Sequence, residues 1–152
     1  MADIIHRIGI TAPMKRVYDA VATVDGVARW WTEESTGEGR VGGKIAFTFR
    51  SPDGELKGRM VMQVRTLDGP NAVRWRCTEG PEEWIGTDVT FDLSQQDGQT
   101  IVIFGHRNWR EAVEFTAHCS MKWAVFLLSL REYVETGTGK PSPRDLKIDN
   151  WN

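Results

Sequence analysis

Polar and apolar residues alternate along most of the chain as far as residue 106, and thereafter the spacing lengthens to three or four. Residues 3–10 set Ile4, His6, Ile8 and Ile10 against Ile5, Arg7 and Gly9, the two-residue period of a strand. Thr11 and Pro13 then suit a helix start, Thr11 as a cap and Pro13 in the first turn. Met14, Val17, Tyr18, Val21 and Ala22 carry a helical period that Gly26 interrupts. Residues 27–31 read as a second short helix or turn bearing Arg29, Trp30 and Trp31. Alternation resumes at 44–50, 55–67, 72–77, 84–93 and 100–106, with turn residues at 51–54, 68–71, 80–81 and 96–98. The apolar sides hold Ile45, Phe47 and Phe49, then Leu56, Met60, Met62 and Val64, then Val73, Trp75 and Cys77. Thr87, Val89, Phe91 and Leu93 continue them, and Val102, Phe104 and His106 close the series.

Residues 112–136 behave differently. Phe115, Cys119, Trp123, Phe126, Leu130 and Val134 recur at steps of three or four, on one side of a helix. Met121, Ala124, Val125 and Leu128 widen that side to most of the circumference, so the helix is predicted to be covered nearly all round. Strands joined by short turns are antiparallel neighbours, and one apolar side per strand means one covered sheet face. The long helix is the element large enough to cover it. The pattern therefore predicts an α+β fold: a curved antiparallel sheet of six or seven strands around a long C-terminal helix. Two short helices follow the first strand, and a cavity is expected between sheet and helix. Residues 1–140 form one domain in this reading. Gly137, Gly139, Pro141 and Pro143 end the helix, and residues 141–152, with Leu146, Ile148 and Trp151, are predicted to dock on the domain or on a second subunit. Residues 36–43, with four glycines, are predicted to be a mobile loop placed to act as a lid.

Composition narrows the function classes. A chain of 152 residues suits a single core. The 19 basic and 21 acidic residues are well mixed, which argues against nucleic acid as a partner. No apolar run approaches the ~20 residues of a membrane span. The start MADIIHRIGI lacks the pattern of an export signal, so the expected location is the cytoplasm. Cys77 and Cys119 sit among core-like residues and are expected to be reduced, buried thiols. The seven tryptophans are unusual, and several are expected to line a cavity or interface.

An ordered set of motifs resembles the START-like (SRPBCC) superfamily, in the branch named after the C-terminal domain of the activator of Hsp90 ATPase. The set begins with Ile8-x-Ile10-x-Ala12-Pro13 and Val17-Tyr18-x-Ala20, then Trp30-Trp31 before a Gly-rich loop and Gly42-Gly43 before a Phe-rich strand. Gly86-Thr87 with Val89-x-Phe91 and Thr100-x-Val102-x-Phe104-x-His106 continue it, and Trp123-x-x-x-Leu127-x-Ser129-Leu130 and Glu135-Thr136-Gly137-x-Gly139-x-Pro141 complete it. The resemblance implies a helix-grip fold. It also implies a choice among carriers of hydrophobic molecules, aromatase/cyclase-type enzymes and an Hsp90 co-chaperone module, with a homodimer or an Hsp90-type chaperone as partner.

The residues themselves favour binding over chemistry. Metal-ligand spacings, a G-x-S-x-G elbow and a phosphate-binding loop are all missing from the sequence, so no metal or cofactor is expected. Glu33-Glu34 and Glu82-Glu83 are adjacent and expected in solvated loops. His106, at the end of an apolar strand side, is the one candidate acid or base, with Tyr18 or Arg76 as a polarising donor. His118 is expected to be partly exposed, and His6 to be a strand residue. The candidate ligand-binding wall is Trp31, Phe47, Phe49, Met60, Met62, Trp75, Cys77, Phe91, Phe104, His106, Trp109, Cys119 and Trp123, with Trp31, Trp84 and Arg29 at its mouth. The expected ligand is a small hydrophobic or aromatic molecule.

Overall fold

The computed structural model describes residues 1–151; Asn152, the end of the expected tail, lies outside the described residues. Strand β1 spans Ala2–Ile10, and helices α1 (Met14–Ala22) and α2 (Val24–Ala28) follow. Strands β2 (Glu34–Gly37), β3 (Lys44–Arg50), β4 (Leu56–Asp68), β5 (Ala72–Glu79), β6 (Asp88–Gln96) and β7 (Gln99–Trp109) come next, and α3 (Glu114–Thr136) is the last element. The seven strands form one sheet in the order β1-β7-β6-β5-β4-β3-β2. Every pairing is antiparallel. The helix-grip expectation is borne out, with seven strands.

Local chemistry explains the short helices. Pro13, not Thr11, is the N-cap of α1 and makes no side-chain cap. Thr11 instead gives its backbone N–H to Glu135 on α3, and Thr100 Oγ1 donates to the Ala12 carbonyl. Thr23 caps α2 by accepting from the Gly26 N–H at 3.0 Å. A side chain at Gly26 would stand 2.6 Å from the Asp19 carbonyl, so the tight junction of α1 and α2 requires glycine there. Gly137, at φ 91°, ends α3 in the left-handed conformation.

The core lies between the concave face of the sheet and α3. Trp30, Trp31, Trp75, Trp109, Trp123, Phe47, Phe91 and Phe104 are all fully buried there. Each such side chain contributes roughly 1.5–3 kcal/mol by leaving water. Trp31 is the hub: its ring centroid lies 4.5 Å from Phe47, 4.9 Å from Trp123 and 6.0 Å from Trp75. Trp30 donates its indole N–H to the Ala20 carbonyl at 2.8 Å, which locks α1 onto this cluster.

Four further expectations need correction. Helix α3 is covered on one side only, because the sheet reaches one side of a cylinder; Met121 and Leu128 stay 56% and 50% exposed. The glycine loop is not free: Glu34–Gly37 pairs with β3, and Gly42 and Gly43 exchange backbone hydrogen bonds with Val64 on β4. The segment read as a strand from residue 84 begins at Asp88, because Thr87 N–H turns back to the Trp84 carbonyl. Leu56 is exposed, because it lies beyond a register shift at Phe49/Arg50.

Candidate functional site

The buried rings pack on one another, and an apolar cleft opens beside them. Its volume is about 190 Å³. One wall is the α3 stripe Phe115, Cys119, Lys122, Trp123 and Phe126, whose spacing of three to four sets it on one helix side. The facing wall is Trp31, Phe49, Met60 and Trp84. The rim comes from Arg50, Lys57 and residues of the C-terminal segment, including Asp145, Lys147 and Trp151. A larger hollow of about 320 Å³, lined by Arg16, Asp19, Asp25 and Arg29 among others, lies between the short helices and the end of α3. Those four charged side chains need water or a counter-charge, so it has less to offer an apolar ligand.

The C-terminal segment lies against its own chain. Ser142 N–H donates to the Trp31 carbonyl at 2.8 Å, and Glu33 N–H donates to the Ser142 carbonyl at 3.2 Å. Ser129 Oγ on α3 donates to the Trp30 carbonyl at 2.9 Å and accepts from Lys140 N–H at 2.8 Å. Further along, Lys122 pairs with Asp145, and His118 Nδ1 lies 2.7 Å from Asp149. That contact holds the Asp149 carboxyl below its ordinary range. Trp151 packs against the rings of His118 and Phe115.

Of the residues expected to bind a ligand, Trp31, Phe49, Met60, Cys119 and Trp123 line the cleft. Phe47, Met62, Trp75, Cys77, Phe91, Phe104 and Trp109 lie in the packed core, and none of them lines the cleft. His106 is fully buried beside them and points inward. Its Nδ1 accepts from Trp123 Nε1 at 3.1 Å, and its Nε2 lies 2.8 Å from Thr87 Oγ1. It does not line the cleft. Arg76 is on the other sheet face, paired with Asp88 at 2.9 Å, so it cannot serve as a polarising donor to His106. Of the expected mouth residues, Trp84 is on the cleft wall, whereas Arg29 borders hollows elsewhere.

Burial sets the chemistry of the polar groups. It pushes the Cys119 thiol up to about 12 and the Cys77 thiol up to about 11. The Trp84 indole N–H is turned toward the Cys119 sulfur, a weak acceptor, and makes no full hydrogen bond. Among the described residues, no group of three or more His, Cys, Asp or Glu side chains is placed to hold a metal ion, and no helix is long and apolar enough to cross a membrane. Sequence reasoning missed Arg50, Lys57, Lys122 and Asp145 at the cleft. A signal existed for Lys122: it breaks the apolar stripe between Cys119 and Phe126.

Comparison with known proteins agrees with this architecture. The chain is similar to the Aha1 dimer from Colwellia psychrerythraea, at 42% identity and a TM-score of 0.79, covering 91% of this chain and 100% of that one. It shares its fold with the AHSA1-like protein from Aeromonas hydrophila, at 18% identity and a TM-score of 0.72, over 90% of this chain and 94% of the other. The Bacillus halodurans protein BH1534 also shares the fold, at 24% identity and a TM-score of 0.68, over 89% and 98% of the two chains. Comparison with curated proteins returns no match. The family model described as activator of Hsp90 ATPase homolog 1-like protein matches residues 11–135. With most of its length matched in this way, the chain belongs to the activator of Hsp90 ATPase homolog 1-like family.

Proposed function

We propose that this protein binds a small hydrophobic, preferably flat aromatic, molecule in the cleft between α3, Trp31 and Trp84. The observation that supports this reading is the aromatic-walled hollow of about 190 Å³ open beside the buried ring cluster. An apolar cavity of ~150 Å³ can hold a benzene ring, so this cleft suits one or two fused rings. The binding reading is favoured over the enzyme reading because His106, the candidate acid or base, has both ring nitrogens engaged by Thr87 and Trp123 and does not itself line the cleft. The test is titration with 2-naphthalenemethanol, followed by quenching of tryptophan fluorescence. Saturable quenching that Cys119→Phe abolishes supports the reading. No quenching up to the solubility limit removes it.

A second copy of the chain is a further proposed partner. The 42%-identical relative is a dimer, and α3 here carries the exposed apolar pair Met121 and Leu128 two turns apart. Sedimentation of the wild type and of a Met121→Asp/Leu128→Asp variant tests this: a dimer that the variant converts to monomer supports it, and a monomeric wild type ends it. The family description also raises an Hsp90-type chaperone as partner. An Hsp90 ATPase rate left unchanged by added protein, with no complex formed, removes that partner.

A further inference from the structure

Resting on the cleft reading, we propose that the occupant is a flat aromatic monocarboxylate, and that its carboxylate takes the place of Asp145 on Lys122. The cleft is apolar in its walls but cationic at its edge. Arg50, Lys57, Lys122 and Lys147 all line it, against the single carboxylate of Asp145. Arg50 is engaged by Glu34 at 2.6 Å, while Lys57 and Lys147 make no ion pair among the described residues. An anion entering here therefore meets cations on several sides.

Lys122 is the deepest of these charges. Its side chain is 12% exposed and that of Asp145 is 7% exposed, so the pair is largely removed from water. The ammonium also lies 4.9 Å from the centroid of the Phe126 ring, on the apolar wall itself. A cation embedded in an aromatic wall is suited to a ligand with an aromatic body and an anionic end.

Asp145 belongs to the C-terminal segment beyond α3, and this carboxylate is held by the chain's own loop rather than by a helix or strand. It occupies the place that a ligand carboxylate would fill. Exchange for another carboxylate keeps Lys122 paired and frees Asp145, on its loop, to return to water, so no buried charge is left uncompensated. The ring of the incoming molecule adds apolar burial that Asp145 does not supply.

The test uses the full chain and two ligands of matched shape, 2-naphthoate and 2-naphthalenemethanol, titrated by calorimetry. The wild type is expected to bind the naphthoate about tenfold or more tightly than the alcohol, as charge-assisted hydrogen bonds should give. Lys122→Met is expected to bring naphthoate affinity down to no better than that of the alcohol in the same variant, and Lys122→Arg to retain the preference. Asp145→Asn, which removes a competing carboxylate, is expected to tighten naphthoate several-fold more than the alcohol. Equal binding of the two ligands overturns the anion assignment and leaves the cleft reading standing. Binding of neither removes both readings. A preference that survives in folded Lys122→Met, or naphthoate affinity unmoved by Asp145→Asn, overturns the exchange at Lys122.

Discussion

The Trp123 indole and His106 Nδ1, 3.1 Å apart, fix the charge state of the imidazole. An indole N–H can only donate, so Nδ1 must accept, and the proton of the neutral ring sits on Nε2. Nε2–H then donates to Thr87 Oγ1, whose own O–H donates a hydrogen bond to the Trp84 carbonyl at 2.5 Å. Protonating Nδ1 would set two donors against each other.

Burial pushes the His106 imidazole down to about 3, with nearby Asp88 opposing the shift only in part. An unfolded chain takes up that proton near pH 6.5, so from there down to about 3 the unfolded state binds more protons than the folded one. Stability is therefore expected to fall with pH below about 6.5, by up to ~1.4 kcal/mol per pH unit from this group. Urea melts at about pH 7.5 and pH 5 check it: His106→Asn should be less stable at the higher pH but lose this part of the slope.

Trp31 touches the cleft on one side and the ring cluster on the other. Trp31→Ala is expected to cost about 3–5 kcal/mol, and Trp31→Phe clearly less. Denaturant melts measure the cost. A cost near zero for the alanine variant would mean that the ring cluster is not the organising core.

The two thiols should be inert in the folded protein. Both are buried, and neither yields appreciable thiolate near neutrality. A chromogenic disulfide reagent at about pH 8 is expected to find no fast-reacting thiol in the native chain and two per chain in denaturant. Rapid native labelling of Cys119 would show that the cleft opens widely in solution.

Ser129 ties the end of the chain to the core by bonding the Trp30 carbonyl and the Lys140 N–H. Ser129→Ala leaves both groups without that partner and is expected to cost about 1–3 kcal/mol. Hydrogen exchange should accelerate at Lys140 and Ser142 while the amides of β6 and β7 keep their protection.

The fold was legible because its signals are repetitive. Alternation through β3 to β7 and the stripe on α3 each repeat many times, so single irregularities do not hide them. Leu56 and the turn at Trp84 escaped because a register shift and a backbone hydrogen bond leave no mark in a two-residue pattern. The candidate site was legible only in part. Side-chain parity placed Phe47, Phe49, Trp75, Phe91 and Phe104 on the inner face alike, but parity cannot tell a filled interior from an open edge. Which side chains border the cleft depends on where Trp31 seats and where the segment after α3 returns, and both are tertiary outcomes.

The pairing of β1 with β7 has a consequence for how the molecule is made. Ile4 lies opposite His106, and Ile8 opposite Val102, so β1, which among the described residues pairs with β7 alone, waits for a strand that is made long after it. Until Gln99–Trp109 has been synthesised, Ala2–Ile10 is a β-prone ribbon with no native partner, and pairing at such sequence separation is intrinsically slow. A nascent chain stalled before residue 99 would hold every other strand of this sheet and still carry the isoleucines of β1 on an unpaired, adhesive strand, open to chaperones or to a neighbouring copy.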